Sequence, residues 1–200
     1  MKLEARKSIV KNGVWSILAL AVSQSMLQFV VNPSISNHLG VEKFGNVLYI
    51  VAVMSILAPA IGSAVGNVRL MKEKDEAVQN GDYLLSLGLQ TALSVIVFIF
   101  LCRNYINGAV QWSFLIAAPA LTAARSYGEA GYRIALDFRG YFFYHLLLSA
   151  GQALGVYFLF ITENWVYCFF IGELFCVVLA TMRGNLFFPL SLAIQSDYHA

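Results

Sequence analysis

Two hundred residues, 59% of them hydrophobic and only 12% charged, with a mean hydropathy of +0.69, carry more apolar surface than a water-soluble core can enclose. No block of like charge points to a nucleic-acid-binding tail, the net charge of +2 is uninformative by itself, and four prolines and fifteen glycines exclude a Pro/Gly-rich disordered chain. Cys102, Cys168 and Cys176 sit in or beside apolar runs without metal-ligand spacing and read as small buried hydrophobes.

The charges cluster and leave long uncharged runs, each near the roughly 20 residues a spanning helix needs. Met1 to Lys11 is basic, and Ala19-Leu20-Ala21 has the small-x-small form of a signal-peptidase site. The apolar run continues to Val31, and Glu4 is unusual in a signal n-region, so a retained first span over 13–31 is expected, ending near Pro33 with a polar exit from Asn32 to Lys43. A second span, 44–68, contains Pro59 and finishes at Arg69, which opens a polar loop to Asp82. A third, 83–102, has Arg103, Asn104 and Asn107 at its far end, and a fourth, 109–124, is kinked or locally opened at Pro119.

The connector from Arg125 to Arg139 mixes charges with Tyr127, Tyr132, Ile134, Leu136 and Phe138, and reads as an interfacial amphipathic helix. Gly140 to Thr162 makes a fifth span, and 164–182 a sixth, interrupted only by Glu173. The run from Leu186 to Ile194 holds Pro189, is too short to cross, and is expected to rest at the interface.

Lys and Arg fall unequally on the two sides of this six-span, all-α bundle. Lys2, Arg6, Lys7, Lys11, Arg69, Lys72, Lys74, Arg125, Arg133, Arg139 and Arg183 share one side, against Lys43 and Arg103 on the other. The bias places both termini in the cytoplasm. Trp112, Trp165, Tyr49, Tyr105 and Tyr141 lie near span ends, where aromatic rings settle at headgroup level.

Gly62 and Gly66, and Gly151 and Gly155, each put two glycines on one helical face, suited to close helix packing or to a mobile seam. Glu173 lies roughly 15 Å along its helix from Arg183, near mid-membrane, and Gln24, Gln90 and Gln152 count to a similar depth. An acidic group there is costly unless neutral, paired or facing water. Glu173 is therefore either an ion- or proton-coupling site or a structural hydrogen-bonding partner of Gln152 or His145.

Gln24, Gln28 and Asn32 at successive fourth positions form a polar stripe, which either lines a hydrated, substrate-facing cavity or bonds neighbouring helices. Arg69, Arg125 and Arg133 have the planar donor fork that grips phosphate, and the alternative role of fixing topology. Gly40 and Gly45 lack the Gly-Lys-Ser/Thr that completes a phosphate loop. His38, His145 and His199 are scattered, and no nucleophile elbow or carboxylate pair occurs. Neither an enzyme nor a metal or cofactor site is indicated.

The first span and its polar exit, followed by LGVEKFGNVLYIVAV from Leu39 to Val53, resemble the opening of O-antigen and lipid-linked oligosaccharide flippases. These belong to the multidrug, oligosaccharidyl-lipid and polysaccharide exporter superfamily. The match rests on Leu39-Gly40, Phe44-Gly45 and Tyr49, with a second echo where Arg125 and Arg133 precede Phe138-Arg139-Gly140-Tyr141. The resemblance implies a multi-pass bacterial inner-membrane transporter of two six-helix lobes, flipping undecaprenyl-pyrophosphate-linked sugar repeat units to the outer leaflet. Carried onto this chain, it makes Arg125 and Arg69 candidate pyrophosphate contacts.

Family members are about twice as long, so this chain matches the N-terminal lobe: either the second lobe is missing or a twofold homodimer supplies it. Lipid-linked oligosaccharide and membrane lipids are then the expected partners. A lobe of a drug or small-solute exporter, or a truncated non-transporting membrane subunit, are the alternatives.

Overall fold

The computed structural model describes residues 2–72 and 80–182, which are helical with no strand among them. Helix α1 (Lys2–Met26) passes through a π-turn (Leu27–Val31) into α2 (Asn32–Leu39). Helix α3 (Val41–Ala58) passes through a second π-turn (Pro59–Ser63) into α4 (Ala64–Lys72). Then follow α5 (Asn80–Cys102) with a 3-10 turn (Arg103–Tyr105), α6 (Ala109–Ile134), α7 (Phe138–Thr162) and α8 (Tyr167–Met182).

Lys11–Leu39, Tyr83–Tyr105 and Phe138–Thr162 are long and apolar enough to cross a bilayer, and Tyr167–Met182 is a shorter apolar helix. The described residues are all-α, and three of their helices have the length and composition of membrane spans. Lys74, Arg183, His199 and the run 186–194 lie outside the described residues, as do the side chains of Lys2, Arg6, Lys7 and Lys72.

Four sequence expectations require correction. The first helix does not stop near Pro33. Proline lacks the N–H for an ordinary helical bond, and its ring crowds the carbonyl four residues back. The π-turn just before it, where the Asn32 N–H bonds the Leu27 carbonyl five residues back, widens the helix so that it continues to Leu39. The stop comes at Gly40, whose φ of +82° and ψ of 162° suit only a residue without a Cβ.

The connector after residue 124 is not a separate interfacial helix, because α6 runs unbroken from Ala109 through Pro119 to Ile134. Only then does the chain turn, with Leu136 at φ +54°, and Asp137 caps α7 by accepting a 2.9 Å bond from the Gly140 N–H. Arg69, expected to open a loop, is inside α4.

The last correction concerns the aromatic belt. Tyr141 and Trp165 are buried, edge-to-face with His145 at 4.7 Å and Phe169 at 6.1 Å between ring centroids. Tyr49, Tyr105 and Trp112 are exposed, and the first two pair at 4.6 Å. Helix α8 begins at Tyr167, after a turn in which Asn164 accepts from the Val166 N–H.

Two compact units divide the chain. The first joins residues 1–41 to 132–176. Along α1, α2 and α7 the contacts ascend together: Trp15 with Phe142 at 5.3 Å, Ser23 with His145 at 3.2 Å, and His38 with Phe160 at 5.3 Å. These helices therefore run parallel. Helix α8 runs antiparallel to α7: Gly155 abuts Tyr167 and Cys168, Gly151 faces Gly172, and the Cys176 thiol reaches the Tyr144 carbonyl at 3.6 Å. A Cβ on Gly151 would stand 2.5 Å from the Gly172 Cα, so the backbones touch there.

The second unit joins residues 42–131 to 177–200. In it Gly62 meets Ala123 and Ser126, and Gly66 meets Ala130, so α4 runs parallel to α6. Helix α5 runs antiparallel to α6, with Phe98 against Phe114 at 6.5 Å.

Candidate functional site

The glycine face of α4 leads directly to a polar cluster. Gly62 of the second π-turn and Gly66 and Arg69 of α4, four and seven residues on, face α6 together. The facing stripe of α6 is equally small: Ala123, Ser126 and Ala130. A Cβ on Gly62 would stand 2.5 Å from the Ser126 Cβ, and one on Gly66 2.9 Å from the Ala130 Cβ. This close approach lays Arg69 across the ring of Tyr127, the guanidinium carbon 4.9 Å from the centroid.

Tyr127 is fully buried and Tyr83, at the start of α5, is 6% exposed. Their hydroxyls and Nη1 of Arg69 are buried with no hydrogen-bond partner among the described residues. Tyr127 lies beyond the 109–124 stretch. Burial pushes its phenol above the ordinary range; Arg69 opposes this and Tyr83 adds to it. Tyr127 is thus a neutral donor at physiological pH.

Arg69 and Tyr83 each act electrostatically on Tyr127, so this guanidinium and the two phenols form a neighbourhood with unused donor capacity and a net positive charge. Buried donors left unmade cost about 1–3 kcal/mol each, more when charged. An oxyanion satisfies this set, because it accepts several bonds and neutralises the charge. Phosphate and carboxylate are the chemical classes that fit.

The other sequence candidates have different surroundings. Arg125, one turn from Glu129 on α6, is held in an ion pair at 3.2 Å. Arg133 is exposed on the last turn of α6. Gln24 and Gln28 point outward from α1, and Asn32 is half-buried. Glu173 is half-buried on α8, next to the Gly172 contact, where Gln152 is buried with Oε1 lacking a hydrogen bond among the described residues.

Ser23, one before the glutamine, is the polar side chain of α1 that hydrogen-bonds α7, through His145. Beside it, α1 and α7 enclose an open groove of about 600 Å³, lined by apolar side chains with Ser25 and Ser149. Gln24 and Gln28 do not line it.

Sequence reading selected Arg69 but not its phenols. Tyr127 entered only as an aromatic of the Arg125–Arg139 connector, and Tyr83 only as the start of the third span. The available signal was the continuation of the Gly62/Gly66 face into an arginine, which announces that a small-residue contact ends at a charge. Comparison with protein-family models, curated proteins and solved structures finds no match to this chain.

Proposed function

We propose that this chain is one lobe of a flippase-like translocase of a bacterial inner membrane, acting on undecaprenyl-pyrophosphate-linked oligosaccharide such as an O-antigen repeat unit. The observation that carries the reading is Arg69, stacked on Tyr127, with a buried and unused guanidinium nitrogen beside two unused phenols. A pyrophosphate supplies the acceptors and the charge this cluster lacks.

Helix directions support a six-span, N-in/C-in arrangement. In the first unit α1 and α7 run together and α8 opposes α7; in the second α4 and α6 run together and α5 opposes α6. Each relation is the one that strict alternation of the spans 13–31, 44–68, 83–102, 109–124, 140–162 and 164–182 requires. The eleven-to-two division of Lys and Arg supports the same orientation. The resemblance of Leu39 to Val53 to polysaccharide exporters supports the substrate class.

Export of surface polysaccharide, measured in bacterial cells that depend on this chain, tests the proposal. Arg69→Lys preserves a cytoplasmic positive charge and removes the fork, so it separates phosphate contact from topology. Export should fall at least several-fold while the protein still inserts. Unchanged export with the Arg69→Lys variant would reduce Arg69 to a topology determinant and remove the main support for the reading.

A further inference from the structure

We infer that the Arg69 cluster selects a singly charged phosphoryl group, one esterified on both sides, over the doubly charged phosphoryl that ends a monoester. This selection rests on the cluster being a phosphate site, as proposed, and specifies the ionic form it takes. Charge decides it, and only α4, α5 and α6 of the second unit are involved.

Helix α4 contributes Arg69, whose guanidinium carries one positive charge and lies 4.9 Å from the centre of the Tyr127 ring. Helix α6 contributes Tyr127, fully buried, and α5 contributes Tyr83, 6% exposed. A phenol is a donor without formal charge. Elsewhere on α6, Arg125 and Glu129 bond each other at 3.2 Å and offset one another, and Arg133 is exposed on the last turn. Among the described side chains, the charged group acting on the Tyr127 phenol is Arg69.

The cluster thus offers one positive charge and three atoms with unused donors, Nη1 of Arg69 and the two hydroxyls. A phosphoryl esterified on both sides has one negative charge spread over two free oxygens. It balances the guanidinium, and its lone pairs take the donors. A phosphoryl esterified once carries two negative charges above about pH 6. Its second charge would be buried without a cation to match it, which is strongly disfavoured.

For a lipid carrier the distinction has a direct consequence. A pyrophosphate joined to lipid at one end and sugar at the other contains two singly charged phosphoryls. The bare carrier contains one and ends on a doubly charged one, so the cluster favours the sugar-bearing form.

The test titrates the full chain, purified in mild detergent, with three short-chain probes: a polyprenyl phosphate, its methyl diester and the uncharged polyprenol. At about pH 8 the diester should bind about tenfold tighter than the monoester. As pH falls to about 5, through the second ionisation of the monoester, the monoester should gain about that factor while the diester stays constant. Arg69→Gln should remove most of the advantage of the diester over the polyprenol.

A monoester equal to or tighter than the diester at about pH 8, with both sensitive to Arg69→Gln, would overturn the selection and leave the phosphate site standing. A pH gain shared by the diester would place the titrating group in the protein and overturn the selection equally. Esters that bind no tighter than the polyprenol, or that are unaffected by Arg69→Gln, would overturn the site itself and the selection with it.

Discussion

Arg69 lies over the ring of Tyr127 at 4.9 Å, placed there by Gly62 and Gly66, which let α4 close onto Ala123, Ser126 and Ala130. Stacking and hydrogen bonding therefore separate experimentally. Tyr127→Phe keeps the ring beneath the guanidinium and removes one donor, and should weaken binding of a pyrophosphate lipid about threefold to tenfold. Arg69→Gln removes the charge and the fork, and should cost roughly tenfold to a hundredfold. Both follow from titrating the purified protein with a short-chain polyprenyl pyrophosphate.

Arg125 provides the contrast. Glu129, one turn away, already offsets its charge at 3.2 Å. Arg125→Gln should change the same affinity by less than about threefold, since a partly exposed i, i+4 pair contributes a fraction of a kcal/mol. Equal losses for Arg125→Gln and Arg69→Gln in that titration would show a diffuse electrostatic effect instead of a site.

Glycines in this chain divide by what surrounds them. Gly151→Leu would drive a side chain into the Gly172 backbone and should destabilise the α7–α8 contact by at least about 2 kcal/mol, the scale of severe overpacking. Gly88→Ala has open space around the new Cβ and sits within α5. It should be neutral or stabilising by about 0.5–1 kcal/mol through helix propensity. Thermal unfolding in mild detergent distinguishes the two, and similar shifts would contradict the packing described for Gly151.

Cys102, Cys168 and Cys176 are all fully buried. A membrane-permeant maleimide should label none of them rapidly in the folded protein and all of them after denaturation in SDS. Mass spectrometry of the labelled chain provides the count. Rapid labelling of Cys168 in the native protein would mean that α8 opens away from α7.

The apolar runs themselves made the helices legible, since a helix hydrophobic over some 20 residues has few alternatives. The third and fifth stretches, 83–102 and 140–162, nearly coincide with α5 and α7. Pro33 misled because a proline reads as a stop unless a π-turn precedes it, and a π-turn has no strong sequence signature. Arg125 to Ile134 misled because charges mixed with aromatics resemble a separate interfacial helix, whereas the i, i+4 pairing with Glu129 and the small face of Ser126 and Ala130 extend α6.

Within the site, Arg69 was legible from its residue type alone. Tyr83 and Tyr127 were not, because the Tyr127 ring comes under Arg69 only through the packing of separate helices, and that packing determines which phenols are buried. The same reason hid Ser23 behind the more conspicuous Gln24.

The most direct measurement compares the affinity of the purified chain for a polyprenyl pyrophosphate with that for the uncharged polyprenol of equal length, in the native protein and in Arg69→Lys. The account predicts at least tenfold preference for the pyrophosphate in the native protein and loss of most of that preference in the variant. Equal affinity for the two lipids, or full discrimination retained with the Arg69→Lys variant, would contradict it.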